Sequence, residues 1–313
     1  MNPQILGQLA ALGTATCWTV TSLSFEAAGK RVGSLQVNLI RLVIAFLIFS
    51  ALLTIRSGRP LPLDAGSHVW IWLSLSGLIG FVMGDLFLFQ AFVDVGARTA
   101  MLVYSSVPPM TALIGWIVLG ERLTPLQFVA MGATVGGIVL VTTAAHAAPP
   151  RSAAPAQEPP SEPPLPVRPH RLRGIWFALL GALGQALGLV LGRYGAPEYD
   201  AFAATQIRVL TGMVGFLVVF SLLRRWPRIF AAVRDGRAMR HISRGAFFGP
   251  FLGVSLGLFA AQRAGTGVAA TIIATVPVLL IPVTVIGFGE RITARELVGA
   301  LLAVGGVALL FLG

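Results

Sequence analysis

One cysteine, Cys17, is all that 313 residues contain, which leaves no intrachain disulfide and no cysteine-built metal site. Charge is scarce as well: 11% of residues are Asp, Glu, Lys or Arg, less than half of the roughly 25% usual in soluble domains. The four histidines, His68, His146, His170 and His241, stand near or outside the ends of apolar runs, with no carboxylate at metal-ligand spacing. No nucleophile motif and no phosphate loop accompanies them, so the sequence argues against an enzyme and calls for no cofactor or metal. A net charge of +11 has no nucleic-acid-binding motif to go with it. The basic residues flank apolar runs in short loops, where they report membrane orientation rather than a nucleic-acid partner. No Lys or Arg precedes Ile5, so the first run lacks the basic start of a signal peptide and is expected to be a mature helix.

What is present is apolar sequence. Hydrophobic residues make up 56% of the chain and mean hydropathy is +0.83, the composition of an integral membrane protein. The runs are continuous over about 20 residues, the length of a spanning helix, and do not alternate over about 10 as in a β-barrel. The expected fold is therefore all-α and polytopic, with ten transmembrane helices: about 5 to 25, 34 to 54, 69 to 93, 97 to 119 and 124 to 143, then 173 to 192, 201 to 223, 242 to 263, 267 to 289 and 293 to 312. Between the two sets, Pro149 to Pro169 holds nine prolines among few apolar residues and reads as an extended linker. The organisation is a first unit at 1-148, a linker at 149-172 and a second unit at 173-313.

The two units are copies. Gly96 opens a segment that runs through Pro108 to Gly120-Glu121-Arg122-Leu123-Thr124, and Gly265 opens one through Pro277 to Gly289-Glu290-Arg291-Ile292-Thr293, 169 residues on at every match. Gly80, Gly84, Gly136 and Gly137 meet Gly249, Gly253, Gly305 and Gly306 at the same offset, while Gly7 with Gly174 and Arg41 with Arg208 match at 167. Five spans per copy is an odd number, so the copies enter the membrane in opposite senses as inverted repeats. Most Lys and Arg follow the odd-numbered spans, which by the positive-inside rule puts both termini outside the cytoplasm. Arg224, Arg225, Arg228, Arg234, Arg237, Arg240 and Arg244, with Trp226, Ile229, Phe230 and Val233, suggest a short interfacial helix in one such loop.

Taken together, these features resemble the EamA-type transporters of the drug/metabolite transporter superfamily. The resemblance rests on the paired repeats, on Pro108 and Pro277 in the fourth span of each, and on the two Gly-Glu-Arg endings, and it covers nearly all of both halves. It implies a ten-helix exporter or exchanger of small metabolites in the cell (inner or plasma) membrane, working without ATP hydrolysis. It also implies cytoplasmic termini, against the charge distribution. A lipid flippase or scramblase on the same fold is the alternative.

The candidate cavity residues are those that are costly or useful inside a bilayer. Arg41 and Arg208 lie about 10 Å into equivalent spans, deep enough to need a partner, a route to the interface or a bound anion. Asp85 is an acid inside the third span, whose counterpart is Val254; it suits an ion pair or a proton-carrying role. Pro108 and Pro277 free backbone carbonyls where only protein or a wet cavity satisfies them, with Tyr104, Thr111, Thr271 and Thr275 beside them. Trp18 and Gln185 are equivalent positions on the first helix of each copy, and Gln90 is a further polar group in the third span. Gly80 and Gly84, and Gly245, Gly249, Gly253 and Gly257, form small-residue stripes on which helices can slide. The partners expected are a small-molecule substrate, the lipid bilayer and protons, and two complete copies suit either a monomer or a homodimer.

Overall fold

The apolar runs become helices, because only a helix satisfies its own backbone groups in hydrocarbon. The computed structural model describes residues 2–88, 90–91, 94, 103–104, 106–147, 171–276, 278–279, 281–282 and 293–310. Every regular element among them is helical: α1 (Pro3–Val32), α2 (Ser34–Ser57), α3 (Ser67–Leu88), α4 (Val107–Leu119), α5 (Pro125–Ala147), α6 (Arg171–Gly195), α7 (Ala201–Leu223), α8 (Trp226–Arg234), α9 (Gly236–Ala264), α10 (Thr266–Ile273) and α11 (Ala294–Leu310). Five of these, α2, α3, α6, α7 and α9, are long and apolar enough to cross a membrane. The chain is a multi-pass membrane protein.

Elsewhere the spans differ from expectation. α1 has the length at 30 residues but falls short in apolarity, because Thr14, Thr16, Thr19, Thr21, Ser22 and Ser24 line it. Each of those hydroxyls donates to the carbonyl four residues back, at 2.7 to 3.0 Å, so the polar groups are satisfied within the helix. The interfacial helix is confined to α8. Arg237, Arg240 and Arg244 belong to the first turns of α9, which starts at Gly236 once Asp235 accepts from the amides of Arg237 and Ala238. The Pro-rich linker and Gly289 to Arg291 lie outside the described residues.

Equivalent helices run antiparallel. Near the start of α2, Leu42 meets α7 at Gly212, and near its end Ser50 accepts from Gln206 of α7 at 3.0 Å. In the same way Gly137 of α5 packs on Gly299 and Ala303 of α11, while earlier in α5 Ala130 and Thr134 pack on Gly306. Across the middle, α1 packs along α9 and α6 along α3. Phe49 of α2, Phe202 of α7 and Phe251 of α9 meet edge to face with centroids 5.0 to 6.5 Å apart. Leu47, Ile55, Ile71, Trp116, Leu222 and Leu301 are exposed, whereas Asn38, Arg41, Gln206 and Arg208 are buried. Large apolar side chains on the outside, with ionisable groups buried within, suit lipid contact.

Two backbone departures recur at the repeat offset. Leu78–Gly84 in α3 and Phe247–Gly253 in α9 widen to the π form, 169 residues apart. Glycines supply weak helix-forming positions in both, and Pro250, which has no N–H to donate, adds a second cause in α9. The fourth segments are interrupted at the same register: Ser106 is a turn before α4, and Ala274 and Thr275 form a turn after α10. Gly120, at φ 66, ends α4 in the left-handed conformation. Thr124 then starts α5 in a reciprocal capping box with Gln127, and Thr293 starts α11 in one with Glu296.

Candidate functional site

Arg41 is the eighth residue of α2, and its neighbours on α1 and α3 are what the rest of the site is built from. It is 7% exposed and pairs through Nη2 with Asp85 of α3, which follows the π segment directly. Its guanidinium stands 5.3 Å from the ring centroid of Phe25 on α1. Tyr104 is close enough to interact electrostatically with both members of the pair. One turn before Arg41, Asn38 is fully buried with neither amide atom hydrogen-bonded, and Arg41 Nε is unbonded too. A buried ion pair with unsatisfied neighbours costs more than it returns in packing terms, so such a group marks a functional position more than a stabilising one.

Arg208 occupies the equivalent place on α7 but has no acid. It is 5% exposed, and among the described residues its Nε and Nη1 have no hydrogen-bond partner and it forms no ion pair. Phe81 lies under it, 5.4 Å from guanidinium to ring centroid. The backbone of α7 at Arg208 presses on Gly77, midway along α3, and the guanidinium lies beside Gly80 and Gly192.

Around these groups the glycine stripes meet two different surfaces. On α9, Gly245, Gly249, Gly253 and Gly257 lie against Phe25, Thr21, Trp18 and Thr14 of α1 in turn. Thr14 also donates to the Gly253 carbonyl at 3.2 Å. On α3, Gly80 and Gly84 lie against Gly188 and Gly184 of α6, glycine on glycine, and Ser76 donates to the Gly188 carbonyl at 2.5 Å. A Cβ on Gly184 would stand 2.8 Å from the Gly84 Cα. Trp18 and Gln185 therefore sit at matching points, each on a helix crossed by the glycine that ends a π segment.

Other candidates are placed differently. Gln90 is exposed and donates to Asp94 at 2.9 Å, in a cluster with Arg173, whose Nε and Nη2 both reach that carboxylate at 2.8 Å. It stands apart from the Arg41–Asp85 pair. Pro108 does not kink a helix interior: it is the second residue of α4, where the missing N–H costs nothing, and the turn at Ser106 separates it from Tyr104. Thr111, three residues on in α4, shares the face of Pro108, whereas Tyr104 lies before the turn. Thr275 is buried at the matching break and donates to Ile272 at 2.7 Å, whereas Pro277 lies outside the described residues.

The Gly-Glu-Arg ending holds a tie that sequence reasoning missed. Glu121 accepts from Arg193 at 2.5 Å and from the amide and hydroxyl of Thr266 at 2.7 to 3.1 Å. It thereby caps the N-terminus of α10, which Gly265 allows to begin abruptly at φ 89. A cavity of about 240 Å³ opens beside this corner, and a groove of about 600 Å³ runs along Arg31, Arg225 and Arg228. Neither is lined by Arg41, Asp85 or Arg208.

Comparison with known proteins agrees with this architecture. The profile of the EamA-like transporter family matches residues 5–143 and again 172–312. The threonine/homoserine exporter RhtA of Escherichia coli strain K12 is 31% identical over 136 residues, 42% of this chain and 43% of that one. Its counterparts in E. coli O6:H1 and O157:H7 match equally. The chain thus spans about two fifths of the length of the curated relatives it matches. A solved crystal structure superimposes with a TM-score of 0.72 over 99% of this chain and 98% of the other, at 16% identity, a likeness of fold alone.

Proposed function

The chain belongs to the EamA-like transporter family, and on that premise we propose that it is a secondary active exporter of a small metabolite, not an enzyme, in the cell (inner or plasma) membrane. Two inverted five-helix halves, 1-148 and 173-313 joined by the 149-172 linker, alternate access to a central site. The observation that carries this reading is the antiparallel run of equivalent helices, α2 with α7 and α5 with α11, the first pair carrying two buried arginines, one of them paired with an acid. Each arginine lies about 10 Å from the start of its helix. In a hydrocarbon core of about 30 Å, antiparallel helices then put Arg41 and Arg208 about 5 Å from the midplane on opposite sides, where transporters of inverted-repeat design hold substrate. The helix breaks at Ser106 and Thr275 stand at matching places in the two copies, and the glycine contact of α3 with α6 is a surface on which one half can slide past the other.

The RhtA relatives are exporters of threonine and homoserine, so small hydroxylated amino acids head the list of candidate substrates. Asp85 is the candidate proton carrier, released from Arg41 as the centre opens. One complete set of ten helices suffices for a site, so a monomer is the working unit whether or not it dimerises. The test is efflux from proteoliposomes loaded with threonine, homoserine, a nucleobase or a cationic drug, with and without a pH gradient. Protein-dependent efflux of an amino acid, accelerated by the gradient and insensitive to it after Asp85→Asn, is expected. Full gradient-driven flux by the Asp85→Asn protein removes Asp85 from any proton route, and lipid scrambling without solute flux replaces the exporter reading with the flippase one.

A further inference from the structure

The two copies of the repeat treat the same arginine in opposite ways. In the first, α2 presents Arg41 and α3 answers it with Asp85. In the second, α7 presents Arg208, and the residue of α9 that stands where Asp85 stands in α3 is Val254. Both guanidinium groups are more than nine-tenths buried and each lies beside a phenylalanine ring, Phe25 of α1 for Arg41 and Phe81 of α3 for Arg208, while Arg208 alone is seen at the seam of α3 with α6. Duplication has kept the buried cation and dropped the anion.

A guanidinium cannot lose its proton at physiological pH to escape burial, and Phe81 offers only a weak quadrupole in return. Nε and Nη1 are both unbonded. No carboxylate among the described residues forms an ion pair with this side chain, whereas Asp94, Glu121 and Asp235 are each held by another arginine. The small residues beside it, Gly80, Gly192 and Ser76, leave backbone and one hydroxyl near the guanidinium instead of bulk.

We propose that Arg208 is the vacant half of an arginine–carboxylate pair and that the transported molecule completes it with its own carboxylate. This deepens the exporter reading and rests on it. The charge count selects the ligand class: one buried cation neutralises one carboxylate, whereas a phosphate dianion leaves a net charge in a low-dielectric site with no second free cation beside it. A carboxylate also accepts two parallel N–H bonds from the planar guanidinium, which a lysine ammonium does not supply. Arg41, already occupied by Asp85, plays no such part, so the two arginines differ in role although they match in sequence.

Affinity and counterflow in reconstituted protein separate the two arginines. L-threonine and L-threoninamide are the probes, since they differ only in the carboxylate. Wild-type protein is expected to favour the acid by at least about tenfold, the order of one charge-assisted hydrogen bond. Arg208→Gln removes that preference and Arg208→Lys restores part of it, whereas Arg56→Gln, at the exposed end of α2 and outside the centre, leaves it in place; in the paired replacement Arg41→Gln with Asp85→Asn the binding preference persists even where transport is lost. An Arg208→Gln protein that still prefers the acid tenfold overturns the inference. So does a wild-type protein that carries threoninamide or a cationic drug better than any carboxylate, in which case the exporter reading stands and only the role of Arg208 falls. Absence of flux for every compound, from folded wild-type protein, sinks both.

Discussion

Asp85 and Arg41 hold one another in a place that neither tolerates alone, and this makes their removal unequal. Asp85→Asn leaves a buried guanidinium without its counter-ion, a loss of about 3 to 5 kcal/mol by the usual cost of breaking such a pair. Replacing both, with Arg41→Gln, removes the charge as well as the partner and recovers most of it. Thermal unfolding in detergent is the measurement, and a double variant less stable than Asp85→Asn alone contradicts the pairing. All three central ionisable residues, Arg41, Asp85 and Arg208, are legible in the sequence, because charge inside an apolar run is rare enough to stand out. Repeat arithmetic even shows that Val254 replaces the second acid. What cannot be read is geometry over distance: Glu121 finds Arg193 and Thr266, 72 and 145 residues away, and no local pattern points to either. Asp94 escaped notice for the same reason, since Arg173 reaches it across 79 residues.

Among helices, the glycine faces give contrasting predictions from the same substitution. At Gly184 an alanine Cβ would press on the Gly84 backbone at 2.8 Å, so Gly184→Ala is expected to push α6 from α3 and lower both unfolding temperature and transport. At Gly257 the nearest atoms stand 3.5 Å away, ordinary contact, and Gly257→Ala is expected to be neutral or to gain up to about 1 kcal/mol of helix propensity. Equal effects at the two sites count against a close α3–α6 seam. Where α1 meets the α8–α9 corner, Asp235 accepts from the amides of Ala238 and Arg237 and from Arg31 at 2.9 Å, which holds its carboxyl below the usual range. A depressed acid stabilises the fold at pH above its unfolded value of about 3.9 and loses that contribution as pH falls through the folded value. Unfolding temperature followed from pH 7 to pH 3 should therefore drop less steeply in Asp235→Asn than in wild type. The stripes themselves were visible in sequence, but not their partners. The missing N–H of Pro108 likewise anticipated a freed carbonyl inside a span, whereas the chain turns first at Ser106 and leaves the proline where its missing N–H is harmless.

Over the whole molecule, Glu121 ties the end of α4 in the first copy to α6 and α10 in the second, through one ion pair and three further hydrogen-bond contacts to Thr266. Glu121→Ala is expected to cost about 3 kcal/mol, since it strands Arg193 and uncaps α10 together. Unaltered unfolding in that variant denies the corner its structural role. At the Glu121 corner the repeated motif fastens one copy to the other, whereas the polar centre combines a position the copies share, Arg41 and Arg208, with one at which they diverge, Asp85 and Val254. Family membership, an apolar exterior and buried ionisable groups support the proposal of a centre that opens to one side at a time. Solute counterflow tests this most directly: vesicles holding purified protein and excess unlabelled threonine, diluted into labelled threonine at equal ionic composition. The account predicts transient accumulation of label above equilibrium, abolished by Gly184→Leu, which wedges the α3–α6 seam. Vesicles that scramble lipid but show no counterflow of threonine, homoserine or any other small solute contradict it.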